Sequence, residues 1–315
     1  MPKGQDVLGF GGKIKGASNP IGVAVSAKDV CLAQAVSNGY VFEREPLAND
    51  VSISDPNFHA ETKRAINAAL RRSKFAGKPA VSALPAELLR YKTLRLPPMP
   101  EEDMAQAVAW EAAERFQLTE NQSLQHYRAG QVNQGNEKRE EIILLAAENN
   151  AVYDHAVAVK QAGLQPIAID ATAAALARLL GSDDQATLTI HLGQTTAEIV
   201  GHRGEQVIFD KPVDVTRING VIDVSALARE ISLCTRYLSV TFGVHKPNAT
   251  WLAGQGATQA LAEQLSDGLH TTVQTADQSP ALTQLSLPSD DPTLYCVALG
   301  LASPHRNGSA KRGAA

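Results

Sequence analysis

The chain has little cysteine and no long apolar segment, and both shortages limit its class. Its three cysteines, Cys31, Cys234 and Cys296, lie far apart in apolar surroundings, which favours buried thiols in a reducing compartment over disulfides or a metal site. No segment approaches the roughly 18 to 20 apolar residues that a membrane-spanning helix needs. Residues 1–19 have glycines and lysines where a signal peptide is apolar. We therefore expect a cytoplasmic protein without direct membrane insertion, a flexible leader over 1–19 and a disordered tail over 304–315.

The chain also lacks an excess of either charge. It carries 29 basic and 33 acidic residues, a net charge of −4, and this balance argues against general nucleic-acid binding. Its 315 residues, 44% of them hydrophobic, are enough for two domains or for one bilobed unit.

The segment at 188–204 predicts two strands joined by a short turn that contains Gly193, Thr195 and Thr196. Glycine lets a backbone approach a ligand closely, and backbone N–H groups and threonine hydroxyls can face an anion. The turn could therefore hold a phosphate. Taken alone, the same pattern also fits an ordinary β-hairpin.

The N-terminal part repeats this pattern. An apolar strand over 21–26 ends in a small-residue turn that contains Ser26 and Lys28, and a second strand runs to the hairpin signal at 38–39. When the two copies are superposed, Ala24 falls on His191. A repeat at this distance indicates a duplicated domain rather than a solenoid.

The segment at 85–149 has a different character and predicts a small α/β insertion. Three acids open its helix, where the helix dipole favours them. Met104 and Val108 belong to the apolar stripe of that helix, and Trp110 and Phe116 extend it. These side chains are typical either of a core or of a groove for a partner peptide. The predicted elements are strands over 91–96, 124–132 and 141–147, a helix over 101–116 and a polar loop over 133–138.

The second half continues with a long helix predicted over 224–242, followed by a strand over 249–252. That strand leads into a turn that contains Gly254 and Gly256. A glycine-rich turn between a strand and a helix places unpaired N–H groups at the helix N-terminus, which suits a nucleotide phosphate. The motif Gly-Gln-Gly is not specific by itself.

Together these parts resemble the actin-like ATPase superfamily. Within it, the chain is similar to the PilM-like type IV pilus assembly proteins, which are related to the cell-division protein FtsA. The resemblance covers about residues 20–303, and its most specific part is the stretch from LPPMPEED to AWEA. It is carried by IGV at 21–23, LP at 84–85, LPPMPEED at 96–103, AWEA at 109–112, AGLQP at 162–166, LAGQGA at 252–257 and ALGLA at 298–302.

The resemblance implies an α/β protein with the duplicated, ribonuclease H-like fold of actin-like ATPases. The first lobe would comprise residues 20–84 and 150–185, and the second lobe residues 186–303. The small inserted α/β subdomain, residues 85–149, would bind a partner.

The resemblance also implies a nucleotide site, but one that has lost key residues. ATP-binding relatives are expected to carry an aspartate at each of the positions that Ala24 and His191 occupy here. Neither residue supplies a hard oxygen ligand, so magnesium is not expected to bind. Ser26 and Gln255 stand where the family has glycines. We expect ATP binding to be weak or absent. The nucleotide-binding positions by resemblance are Gly22, Ser26, Lys28, Gly193, Thr195, Thr196, Glu230, Gly254 and Gly256.

Three functions stay open at this point. The leading hypothesis is a non-catalytic scaffold, attached to the inner membrane through the N-terminal tail of a PilN-like protein, with Met104, Val108, Trp110 and Phe116 at the partner site; the resemblance also allows self-association. The second is an active ATPase or sugar-kinase-type phosphotransferase, with Asp29, Asp170 or Glu198 as a substitute acid, although each is more simply a solvated or capping residue. The third is the cytoplasmic domain of a type II secretion component.

Overall fold

The computed structural model describes residues 19–48, 51–119, 121–182, 185–288 and 290–303, without the side chain of Phe116. The predicted leader, apart from Asn19, and the predicted tail lie outside these residues. The strands are β1 Ile21–Val25, β2 Asp29–Val36, β3 Gly39–Pro46, β4 Pro79–Ala83, β5 Arg90–Leu96, β6 Gln122–Gln134, β7 Glu137–Glu148, β8 Gln165–Asp170, β9 Thr187–Leu192, β10 Thr196–Arg203, β11 Gln206–Asp214, β12 Arg217–Ile218, β13 Val221–Ile222, β14 Ala249–Gly254 and β15 Gln274–Thr275. The α-helices are α1 Phe58–Arg72, α2 Glu101–Phe116, α3 Asn149–Gln161, α4 Thr172–Leu180, α5 Val224–Phe242, α6 Gln259–Leu269 and α7 Cys296–Ala302.

Two five-stranded sheets have the same topology. Their strand orders are β3-β2-β1-β4-β8 and β11-β10-β9-β14-β15. In each sheet the central strand, β1 or β9, pairs antiparallel with the next strand and parallel with β4 or β14. Ala24 and His191 hold equivalent positions, since Ala24 pairs with Ala83 as His191 pairs with Ala253. The predicted duplication is therefore confirmed.

Helices α4 and α7 lie between the two sheets and are buried along their whole length. Their contact consists of small residues. A Cβ atom built on Gly300 of α7 would lie 2.0 Å from the carbonyl oxygen of Ala175 in α4. A Cβ atom on Gly22 of β1 would lie 1.9 Å from the carbonyl oxygen of Ala298. The backbones therefore touch at the junction of the lobes, and only glycine fits at these two positions.

The inserted segment forms its own three-stranded sheet, in the order β5-β7-β6. Helix α2 covers one face of this sheet, and the apolar cluster between them includes Met104, Val108, Ile142 and Leu144. The opposite face contributes to the central core of the molecule.

The prediction of a loop over 133–138 is wrong. Strand β6 extends to Gln134 and β7 begins at Glu137, which leaves only a two-residue turn between them. Gly135 has φ of +64° in that turn. The tip of this hairpin is exposed to solvent on both faces, so its residues are polar and do not alternate with apolar ones. Backbone hydrogen bonds hold its two strands together, and the sequence pattern does not reveal such bonds.

Candidate functional site

A small cavity lies where the β1–β2 turn of the first lobe meets β9 and β14 of the second. Its volume is only about 60 Å³, whereas pockets that hold drug-sized ligands measure about 300 to 1,000 Å³. This cavity by itself is too small for a nucleotide, whereas the neighbouring residues Lys28, Gln194 and Thr195 line an open groove of about 440 Å³. The lining of the small cavity includes Ala24, Ser26, Asp29, Thr172, His191, Gly193, Gly254 and Gln255.

The polar groups of the first turn bind one another. Ser26 Oγ donates to Asp29 Oδ1 at 2.6 Å and accepts from the backbone N–H groups of Lys28 and Asp29 at 3.1 Å. Arg44 Nε donates to Asp29 Oδ2 at 2.7 Å. The turn predicted to cradle a phosphate is therefore closed by its own side chains, and its one carboxylate is paired with an arginine.

The second turn is also engaged. Gly193 N–H donates to the carbonyl oxygen of Thr196 at 2.8 Å, as in a hairpin. Thr196 Oγ1 donates to Glu87 Oε1 at 3.1 Å. Thr195 is exposed and lines a separate open groove together with Lys28. The N–H of Gly193 and the hydroxyl of Thr196 therefore do not point at an anion site.

His191 is half-buried on the wall of the cavity. Burial lowers the pKa of His191 to about 4, although nearby Asp29 opposes this shift. The imidazole is therefore neutral at pH 7. In the described part of the chain, no three His, Cys, Asp or Glu side chains come together in a way that could hold a metal ion.

The four remaining predicted nucleotide residues divide between the cleft and other places. Gly254 lines the cavity and has φ of +89°. Gly256 has φ of +78° in the turn that follows β14. Gly22 does not contact a ligand as predicted, because α7 covers it and the glycine serves close packing instead. Glu230 also lies elsewhere than predicted. Its carboxylate is 3.5 Å from Lys211 Nζ on β11, the edge strand two strands away from β9.

The partner residues predicted on α2 separate into core and surface. Met104 and Val108 are completely buried against the inserted sheet, so they are not groove residues as predicted. Trp110 is 63% exposed and does not extend the apolar stripe into the core. The side chain of Phe116 lies outside the described atoms. Of these residues, Trp110 can contact a partner directly.

Comparison with known proteins identifies the fold. No protein-family model matches the chain, and no curated protein matches it. Among solved structures, the chain is similar to the PilM-PilN type IV pilus biogenesis complex, with 18% identity, a TM-score of 0.71 and coverage of 90% of this chain and 97% of the other. It is also similar to the ethanolamine utilization protein EutJ from Carboxydothermus hydrogenoformans, with 11% identity, a TM-score of 0.50 and coverage of 93% and 92%. The chain has the actin-like ATPase fold. The predicted fold class and the predicted likeness to PilM are thereby confirmed at the level of the fold.

The three acids considered as substitutes are all buried, so none of them is solvated. The alternative prediction, a capping residue, holds for Asp170. Asp29 is held by Arg44 and Ser26. Asp170 accepts from Arg178 Nη1 at 2.7 Å inside the core and caps Ala171 N–H at 2.9 Å. Each of these two carboxylates is thus committed to an internal pair.

Glu198 belongs to a buried acidic pair that the sequence reasoning missed. Glu198 on β10 and Asp210 on β11 lie on the same sheet face, because Glu198 pairs with Pro212 and Val200 pairs with Asp210. Tyr91 of the inserted subdomain donates to Glu198 Oε1 at 3.1 Å. Burial raises the pKa of Glu198 to about 7, and burial together with Glu198 raises the pKa of Asp210 well above its usual range. Single acids within otherwise apolar strands were the available signal.

The three cysteines are free and buried, as predicted. Among the residues that the structure describes, no helix combines the length and the apolar character needed to cross a membrane.

Proposed function

We propose that this actin-like chain is a non-catalytic cytoplasmic scaffold of a type IV pilus or related secretion machine. Its inserted subdomain binds the cytoplasmic N-terminal tail of a PilN-like inner-membrane protein, and its nucleotide cleft is degenerate. The observation that carries the proposal is that both phosphate turns form hydrogen bonds within themselves, beside a cavity of only about 60 Å³. Ala24 and His191 line this cavity at the positions where the resemblance leads us to expect metal-site acids. The likeness to the PilM-PilN complex supports the choice of partner.

The cleft argues against turnover on energetic grounds. A correctly placed metal ion supplies several kcal/mol of transition-state stabilisation, and each loss of about 1.4 kcal/mol slows a reaction tenfold. Losing the metal therefore slows ATP hydrolysis by roughly a thousandfold or more. The candidate substitute acids do not restore it, because Asp29 and Asp170 are paired with arginines and Glu198 lies beside Asp210.

The outer face of α2 supports the partner site. Trp110 and Ala113 are both exposed and lie three residues apart, so they share one face of the helix. Tryptophan is enriched among the residues that dominate binding energy at protein interfaces. The buried side of α2, with Met104 and Val108, fixes the helix on its sheet and so presents Trp110 rigidly.

The internal hydrogen bonds of the phosphate turns and the absence of carboxylates at Ala24 and His191 predict that the wild-type protein does not bind Mg-ATP with a Kd below about 1 mM. Calorimetric titration of the full chain checks this, beside a double variant that restores the acids, Ala24→Asp with His191→Asp. Binding by the double variant would show that the missing acids are the main obstacle to ATP binding. No binding by the double variant would show that the small size of the cavity is the main obstacle. Tight binding by the wild type with phosphate release above background would refute the proposal.

The exposed position of Trp110 predicts a loss of partner binding without a loss of stability. The variant Trp110→Ala should weaken the affinity for the tail peptide by about tenfold or more. Its free energy of unfolding should change by less than about 0.5 kcal/mol. Fluorescence anisotropy with a labelled tail peptide of the PilN-like protein from the same genome measures the first effect, and urea unfolding measures the second.

Tyr153 provides the matched control for Trp110, because it is also 63% exposed but lies on α3. The variant Tyr153→Ala should bind the peptide like the wild type. Equal weakening by both variants, or unchanged binding by Trp110→Ala, would show that α2 is not part of the partner site.

A further inference from the structure

A long groove lies between the inserted subdomain and helix α5 of the second lobe, and its lining residues include neither Trp110 nor a residue of the small cavity described above. It consists of two adjoining cavities of about 460 and 400 Å³ that share Thr93 and Tyr237 as lining residues. Their volumes are several times that of the nucleotide cleft. The groove is therefore large enough to hold a ligand.

One end of the groove is rich in arginine. Arg95, Arg115 and Arg139 line it together with Thr93, Gln134 and Tyr237. Each arginine has a glutamate partner, for example Glu141 at 2.7 Å from Arg95 Nε. A guanidinium has five N–H donors, so a single carboxylate leaves most of them available to a second anionic group.

The other end of the groove is apolar and aromatic. Tyr91, Phe209, Leu233 and Tyr237 line it. Leu233 is 56% exposed, although leucines on helices of this kind usually face the core. Lys92, Asp210 and Lys211 also line this end, and Lys211 Nζ lies 3.5 Å from the carboxylate of Glu230.

The dimensions fit an extended peptide. Strand β5 follows the groove from Tyr91 to Arg95, and four steps of about 3.4 Å give a length of about 14 Å. Strand β5 is the edge strand of its sheet, with β7 as its neighbour. The outer backbone groups of such a strand can pair with an added extended chain.

We propose that this groove binds a short extended peptide segment of a protein partner, with acidic side chains at the arginine end and a bulky apolar side chain against Leu233 and Tyr237. A peptide matches the two chemically different ends, whereas a small anion uses only the arginine end. The site includes Arg115 of α2 but not Trp110, and the proposal does not depend on the tail-binding surface proposed above.

The test is fluorescence anisotropy of the full chain with an end-blocked, labelled peptide made of two aspartates, a glycine, a leucine and a tryptophan. Saturable binding is expected, and it should weaken as salt rises because the arginines are solvent-accessible. The double variant Arg115→Gln with Arg139→Gln should weaken binding by about tenfold or more. Leu233→Ser should weaken it by about threefold to tenfold.

Matched variants and probes make the outcomes decisive. Arg71→Gln on α1 and Val240→Ser, an 80% exposed position on α5, should bind like the wild type, as should Trp110→Ala. Asparagine in place of both aspartates should weaken the peptide by about tenfold. No saturable binding, equal losses in the control variants, or displacement by pyrophosphate with no effect of Leu233→Ser would overturn the proposal, the last by showing a small-anion site.

Discussion

Replacing Gly300 with alanine should lower the free energy of unfolding by about 4 kcal/mol or more. The added Cβ atom would lie 2.0 Å from the carbonyl oxygen of Ala175, which is backbone and cannot rotate away. Both helices at this contact, α4 and α7, are buried along their whole length. The junction can accept a methyl group only if the helices separate and lose packing on both sides. Urea unfolding followed by circular dichroism measures the change.

Gly268 provides the control for Gly300. It is an exposed glycine inside helix α6, and a Cβ atom there would meet Ala228 at 3.4 Å, an ordinary contact distance. Gly268→Ala should therefore be neutral or stabilise the protein by up to about 1 kcal/mol, through its higher helix propensity. If Gly300→Ala unfolds at the same urea concentration as the wild type, the close approach of α4 and α7 described above is incorrect.

Replacing Glu198 with glutamine should make the protein more stable than the wild type at alkaline pH, by up to about 4 kcal/mol. Burial raises the pKa of Glu198 to about 7, while an unfolded glutamate titrates near its usual value of about 4.3. The folded state therefore binds the proton more tightly. This contribution is fully present below about pH 4.3 and is lost as pH rises through about 7. Glutamine keeps the hydrogen-bonding shape without the charge.

Urea unfolding of both proteins across a pH series tests this prediction. The difference in the free energy of unfolding between variant and wild type should grow between about pH 4.3 and 7 and then level off. Glu230→Gln is the matched control, because Glu230 is 41% exposed on α5 and its pairing with Lys211 contributes little. A stability difference that does not vary with pH would show that Glu198 does not carry the raised pKa.

Much of the fold could be predicted from the pattern of apolar residues. The helix predicted over 224–242 coincides with α5 Val224–Phe242, because Leu227, Ile231 and Leu238 recur at helical spacing. Both ends of this helix are also specified by nearby residues. Asp223 accepts from Ala226 N–H at 3.0 Å, and Gly243 closes the helix with φ of +66°. Local signals of this kind do not depend on the rest of the molecule.

The sequence was therefore enough to predict the duplicated order of strands, the inserted segment, the limits of α5 and the absence of carboxylates at Ala24 and His191. Those properties follow from residue identity and local periodicity. The packing of distant segments was needed to show that Met104 is core while Trp110 is surface, although both lie on one predicted stripe. It also decided that Glu198 lies beside Asp210 and that the phosphate turns bind themselves. The physical reason is that burial, pKa and hydrogen-bond satisfaction depend on which distant segments pack together, and spacing along one chain does not specify that contact.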